Sequence, residues 1–132
     1  MKKKIVFTGG SGRFAKEFKK ITYKEKIYFP TKKQLNIENL NSITRYLDSV
    51  KPTYLIHTAA LSRPMNVHEK NITKSINANI IGTANIVKAC QKNNIKLIYF
   101  STNYVYQGIK GNYSETDPVL PINNYAISKF GG

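Results

Sequence analysis

Lys4-Ile5-Val6-Phe7-Thr8-Gly9-Gly10-Ser11-Gly12-Arg13-Phe14-Ala15 joins a short apolar run to a glycine-rich turn. A run of this length stopped by Gly9-Gly10 reads as a buried strand. Phe14, Phe18 and Ile21 then recur at helical spacing. In a strand–turn–helix setting each small residue has a physical task. Gly9 takes the tight turn, Gly12 lets the backbone approach a pyrophosphate, and Ala15 packs the helix against the strand. The N–H groups at the helix start, around Arg13 and Phe14, then face the phosphates.

The alternation continues outward from this unit. Lys26–Phe29 is a second strand, stopped by Pro30. Leu40, Ile43, Leu47 and Val50 trace an amphipathic helix that closes before Pro52. Thr53–His57 is a third strand and leads into a loop through Pro64 and Asn71. Residues 73–93 are predicted to form the longest helix, and Lys96–Ser101 the fourth strand. A Gly- and Pro-punctuated loop, 103–122, precedes a final helix starting near Asn123. This order predicts an α/β fold: a Rossmann-type, doubly wound parallel sheet of about four strands, with right-handed crossovers and helices on both faces. Residues 1–132 form one NAD(P)-binding domain in this reading, with no second domain.

Cofactor choice follows from the end of the second strand. An NAD-selective site of this type places Asp or Glu there, about 20 residues after the glycines, to hold the ribose diol. This chain has Phe29-Pro30-Thr31-Lys32-Lys33 instead. With no carboxylate to repel a 2′-phosphate and two ammonium groups to receive it, NADPH/NADP is expected, and NADH is the alternative.

A chain of 132 residues allows one domain. Hydrophobic content of 41%, with nine Tyr and six Phe, favours a packed core over disorder. No apolar run approaches the ~20 residues of a membrane span. Met1–Lys4 is similar to the basic start of a signal peptide, but the apolar run behind it, Ile5-Val6-Phe7, is too short and breaks at Gly9-Gly10, so a cytoplasmic location is expected. The single cysteine, Cys90, cannot pair internally; it falls in step with Ile76, Ile80, Thr83 and Val87 and is expected to be a buried thiol.

The formal charge is +14, and residues 1–33 carry eleven Lys or Arg against Glu17 and Glu25. Only three of the 21 basic residues are Arg, the side chain that dominates base readout, and no nucleic-acid-binding signature is present. The excess therefore reads as a solvated lysine surface that attracts anionic small molecules, not as a specific nucleic-acid site.

Two further stretches carry chemistry: Ser101-Thr102-Asn103-Tyr104-Val105-Tyr106, and Tyr125 followed four residues later by Lys129. A Tyr and a Lys at that spacing share one helix face. There the ammonium stabilises the phenolate, which fits the phenol to exchange a proton near neutral pH. A hydroxyl such as that of Thr102, at the end of the preceding strand, supplies a hydrogen bond to a carbonyl oxygen. This is the working set of a ketone reductase.

Together these residues resemble the extended short-chain dehydrogenase/reductase family, and within it the dTDP-4-dehydrorhamnose reductase branch. Thr8 to Ala15 matches the family's glycine loop. Leu35-Asn36-Ile37 stands where the family places Asp and an apolar residue against adenine, with Asn36 in place of Asp. Thr58-Ala59-Ala60 matches the turn that lines the cofactor. Asn79, Gly82 and Thr83 match a pattern on the long helix in which the Asn is structural. Ser101–Tyr106 resembles the reductase S-T-D-Y-V-F, with Asn103 replacing Asp, and Gly108, Gly111, Tyr113, Glu115 and Asp117 keep the reductase spacing. Tyr125 to Lys129 matches Y-x-x-x-K, with Ala126 in place of the usual Gly.

The resemblance implies NADPH-dependent reduction of a nucleotide-linked 4-keto sugar, with Tyr125 as proton donor, Lys129 on the nicotinamide ribose and Thr102 on the carbonyl oxygen. A nucleotide-sugar 4-epimerase uses the same three residues and stays open, as does a non-catalytic nucleotide-binding module. The 4,6-dehydratases carry an Asp-Glu pair after the Thr; here those places are Asn103 and Tyr104, which cannot perform that carboxylate chemistry. Family members run to roughly twice this length, so the resemblance implies an N-terminal part whose C-terminal strands and substrate region are missing. Two consequences are expected: Lys129 in a fraying last turn with unsatisfied carbonyls, and the fourth strand as an exposed apolar edge suited to homodimerisation.

Overall fold

Val6 and Phe7 are both fully buried although their side chains leave the backbone on opposite sides. The first apolar run therefore has no solvent face and forms a central strand, β1 (Lys4–Thr8). The computed structural model describes residues 3–132; Met1 and Lys2, the start of the basic run and of the signal-like segment, lie outside the described residues. β1 pairs in parallel with β2 (Lys26–Tyr28) on one side and β3 (Tyr54–His57) on the other, and β3 pairs with β4 (Lys96–Tyr99). The strand order is β2-β1-β3-β4, the parallel arrangement the sequence pattern predicts.

Alternation along β1 assigns the two faces. Val6 joins Leu55, Ile43, Leu47, Ile86 and Ala89 in the main core, formed against α2 (Leu40–Val50) and α5 (Gly82–Lys92). Helix α2 starts where Asn39 accepts a hydrogen bond from the Ser42 N–H, and stops where Lys51 turns left-handed, at φ 51°. On the opposite face Phe7 packs against α1 (Arg13–Phe18), with ring centroids 5.0 Å from Phe18 and 5.3 Å from Phe29. Ile21 does not extend this face: α1 ends at Phe18 and Ile21 is exposed.

The single helix expected over 73–93 is a composite. Short helices α3 (Asn66–Lys70) and α4 (Ile72–Ser75) lead into a π turn, Ile76–Ile81, before α5 begins at Gly82. Gly82 lets Ile37 pack closely on the helix: a Cβ there would stand 2.9 Å from Ile37 Cδ1, so that side chain would have to shift. The inward stripe also differs from the expected one. Cys90 is buried, and burial pushes its thiol up to about 11. Its buried companions are Asn79, Thr83 and Ile86, whereas Ile76 and Val87 are exposed. The wider π turn puts Ile76 out of phase with α5, so a uniform count through it misassigns that residue; Val87 lies at the edge of the buried stripe within α5 itself. Helix α6 (Asn124–Gly131) starts at Asn123, whose side chain accepts from the Ala126 N–H at 2.8 Å.

Candidate functional site

After β1 the chain crosses to β2 on one side, while β3 lies on the other. This reversal opens a crevice at the carboxyl ends of β1 and β3. It holds a cavity of about 690 Å³ whose floor is Thr8 to Ala15 and whose far wall includes Thr58, Ala59 and Ala60. Gly9 adopts φ 75°, and a Cβ there would meet Thr58 Oγ1 at 2.9 Å and Ala59 N at 3.0 Å. The Gly12 N–H closes the turn on Gly9 O at 2.8 Å. Lys19 supports the loop from behind, donating through Nζ to Gly10 O at 2.7 Å. Helix α1 begins without a side-chain cap, and its first intrahelical donor is the Lys16 N–H. The N–H groups of Arg13, Phe14 and Ala15 therefore have no partner within the helix.

Pro30, Lys32, Leu35, Asn36, Ile37 and Glu38 line the other end of the cavity. Thr31 does not line it; its N–H and hydroxyl both donate to Gln34 Oε1, at 2.9 and 3.0 Å. The expected end without a carboxylate is corrected by Glu38, whose Oε1 lies 3.0 Å from Lys32 Nζ. Glu38 lies nine residues beyond Phe29 in sequence, and the 31–39 loop folds it back to the crevice. Asn36 Oδ1 accepts from the Glu38 N–H at 3.1 Å, which leaves the Asn36 amide nitrogen for a ligand. Lys74, Asn77 and Ala78 complete the wall. Their i, i+3, i+4 spacing was the available signal for this second cavity-facing stripe.

Lys129 reaches the end of β4 and Tyr125 packs against Tyr104 in the turn that Thr102 caps; none of the three lines that cavity. Thr102 caps a 3-10 turn, Asn103–Val105, by accepting from the Tyr104 N–H at 3.3 Å. The Tyr125 ring sits between His68 and Tyr104, with centroids at 5.0 and 5.9 Å. Lys129 is only 4% exposed, and burial pushes its ammonium down to about 8. Its Nζ donates to Phe100 O at 2.8 Å and lies 4.2 Å from the Tyr99 ring centroid. The expected fraying at Lys129 is therefore not what the fold shows. Its own carbonyl accepts from the Tyr99 hydroxyl at 2.9 Å, so β4 holds the last turn from outside the helix.

A buried polar network that the sequence reading did not anticipate links the glycine loop to α6. Thr83 Oγ1 donates to Asn79 O at 2.7 Å, so it accepts from His57 Nε2 at 3.2 Å. His57 Nδ1 is then an acceptor for the Thr8 hydroxyl at 2.7 Å. Thr8 Oγ1 in turn accepts from the N–H groups of Thr58 and Ala59. Every position is filled by a neutral His57, and burial, then the Lys129 charge, lowers its pKa to about 4. Asn79 continues the network, bonding both N–H and C=O of Leu61 and donating to Ser128 Oγ on α6 at 2.8 Å. A histidine inside an otherwise apolar strand, and the Asn79–Thr83 pattern on the long helix, were the traces of this network in the sequence.

His68 was also missed. It is fully buried, its Nδ1 lies 2.6 Å from Ser75 Oγ, and its Nε2 has no hydrogen-bond partner among the described residues. Burial lowers its pKa, opposed by Glu69 and the Ser62 backbone. Asn124 ties this segment to α6 by donating to Glu69 Oε2 at 2.7 Å.

A family model described as the RmlD substrate binding domain matches residues 2–132. The dTDP-4-dehydrorhamnose reductase of Aggregatibacter actinomycetemcomitans is 27% identical over 133 residues, an overlap of 98% of this chain and 45% of the reductase. Methionine adenosyltransferase 2 subunit beta of Danio rerio is 32% identical over 97 residues, covering 74% of this chain and 29% of that subunit. Among solved structures, dTDP-4-dehydrorhamnose reductase from Bacillus anthracis str. Ames in complex with NADP superposes with a TM-score of 0.93 at 32% identity. That superposition covers 99% of this chain and 48% of the reductase. The chain spans about half the length of the reductases it matches.

Proposed function

Because this chain belongs to the RmlD substrate binding domain family, we propose that it forms the cofactor-binding part of an NADPH-dependent reductase acting on a nucleotide-linked 4-keto sugar. The observation that carries this reading is the crevice at the strand-order reversal. Its glycine turn has no room for a Cβ at Gly9, and unpaired N–H groups stand beside it. Its volume lies within the usual range for small-molecule and cofactor sites. Gly9, Gly12, Arg13, Phe14 and Ala15 would hold the pyrophosphate, Asn36 and Ile37 the adenine, and Thr58-Ala59-Ala60 the central part. Lys32 would meet the 2′-phosphate.

Bound there, NADPH supplies the hydride that reduces the ketone. The remaining work falls to this chain. Tyr125, braced by two neighbouring rings, gives a proton to the developing alkoxide. Thr102 donates its hydroxyl to the same oxygen, because its Oγ1 acts only as an acceptor toward Tyr104. Lys129 holds the nicotinamide ribose and keeps a positive charge beneath the site. His57, Asn79 and Ser128 hold the glycine loop and α6 in a constant relation while this happens.

Calorimetry with NADPH tests the binding half: absence of NADPH binding to the 132-residue chain sinks the proposal. Fusing the chain to the C-terminal half of a reductase relative tests the chemistry. Keto-sugar-dependent NADPH oxidation is expected, and Tyr125→Phe is expected to abolish it; near-normal turnover in that variant would remove Tyr125 from its role. A second reading, a nucleotide-binding module without turnover, is favoured by one observation: the residues of this chain form the crevice, and none of Thr102, Tyr125 and Lys129 lines it. NADPH binding with no turnover of any keto sugar in the fused protein would select it.

A further inference from the structure

Lys32 and Glu38 face each other at the rim of the crevice, and both line it. Their separation, 3.0 Å from Nζ to Oε1, makes them an ion pair. The backbone of the loop beneath the pair is held by hydrogen bonds. Asn36 Oδ1 fixes the Glu38 N–H, the Asn36 N–H donates to Ser42 Oγ at 3.0 Å, and the Leu35 N–H closes on Thr31 O at 2.9 Å. The side chains remain 76% and 35% exposed, so the pair is weak and opens readily to a competing ligand.

The two partners favour opposite cofactors. A 2′-phosphate that reaches Lys32 does so beside the Glu38 carboxylate, which repels it and competes for the ammonium. A ribose without the phosphate offers two hydroxyl donors, which a carboxylate accepts and an ammonium does not. Lys32, and not Lys33, lines the crevice. Arg13 and Lys74 also line the wall.

We propose that Glu38 is a specificity-determining residue of the crevice: it neutralises Lys32, accepts the ribose hydroxyls of NAD(H), and holds down the preference for NADP(H) that Lys32 alone would impose. This rests on the reading that the crevice binds a nicotinamide dinucleotide.

Equilibrium binding of NADPH and NADH to the 132-residue chain, and to its Glu38→Gln and Lys32→Gln variants, tests it without any turnover. Glu38→Gln is expected to tighten NADPH about threefold to tenfold and to weaken NADH about threefold, the scale of one charge-assisted contact at a partly exposed site. Lys32→Gln is expected to weaken NADPH about tenfold and leave NADH within about twofold. The Glu38→Gln gain should shrink as salt rises, since it comes from removing a repulsion. An unchanged NADPH-to-NADH ratio in Glu38→Gln overturns the proposal while leaving the crevice assignment intact. Failure of the unmodified chain to bind either cofactor overturns both.

Discussion

Acidification should reach the buried histidine that joins the glycine loop to the rest of the fold. His57 is fully buried, and its two ring nitrogens are committed: Nε2–H donates to Thr83 Oγ1, and Nδ1 accepts from the Thr8 hydroxyl. A second proton on the ring would turn Nδ1 into a donor facing an oxygen that already takes two backbone N–H groups. With its pKa lowered from 6.5 to about 4, His57 stays neutral in the fold where it would be protonated in the unfolded chain. Between those values the unfolded state binds the extra proton, so stability is complete above about pH 6.5 and declines as pH falls toward 4. A shift of this size corresponds to about 3 kcal/mol once the whole window has been crossed. That is a large share of the 5–15 kcal/mol available to an ordinary domain.

Urea denaturation followed by circular dichroism, at several values between about pH 7 and pH 4.5, measures the decline. The His57→Gln variant keeps a donor and an acceptor but cannot be protonated in this range. Its stability should change less over the window than that of the unmodified chain. His68, whose pKa is also lowered, contributes a loss of the same sign and remains in both proteins, so the difference between them isolates His57. Parallel pH curves for the two would refute the reasoning, because they would mean that the network accepts a charged ring.

Three further outcomes are expected. Asn79→Ala leaves the Leu61 N–H and C=O and the Ser128 hydroxyl without their partner; a loss of about 2–4 kcal/mol in urea titration, with earlier proteolysis near α6, is expected. Gly9→Ala combines a left-handed φ of 75° with a 2.9 Å contact to Thr58 Oγ1; it should cost about 1–2 kcal/mol of stability from the backbone alone and lower NADPH affinity more than about tenfold in calorimetry. On the edge strand β4 Ile98 is an exposed apolar residue, and Phe100, just beyond the strand, is another. Self-association in sedimentation is expected, with Ile98→Lys shifting the chain toward monomer; no change on that substitution would place any association elsewhere.

The periodic and punctuating residues were enough to read the fold class. Val6 and Phe7 within one apolar run, Gly9 and Gly12 after it, and Pro30 and Pro52 at element ends are local signals, and the parallel sheet and glycine turn follow from local sterics and burial. Thr58-Ala59-Ala60 and Asn36-Ile37, which line the crevice, were legible only through the resemblance to the reductase family, not from local sterics. What the sequence could not supply were relations between residues far apart along the chain. Glu38 enters the cofactor end because a loop turns it back toward Lys32. Lys129 escapes a frayed end because the Tyr99 hydroxyl, thirty residues earlier, takes its carbonyl. The long helix loses its expected phase because a π turn seats Asn79 between Leu61 and Ser128. His57 becomes a neutral link only when the β1–β3 register sets it beside Thr8 and α5 brings Thr83 to its other nitrogen. Local propensity depends on near neighbours in sequence, whereas desolvation and hydrogen-bond pairing depend on whatever tertiary packing brings within reach, and in this chain the packing settled the electrostatics of the site.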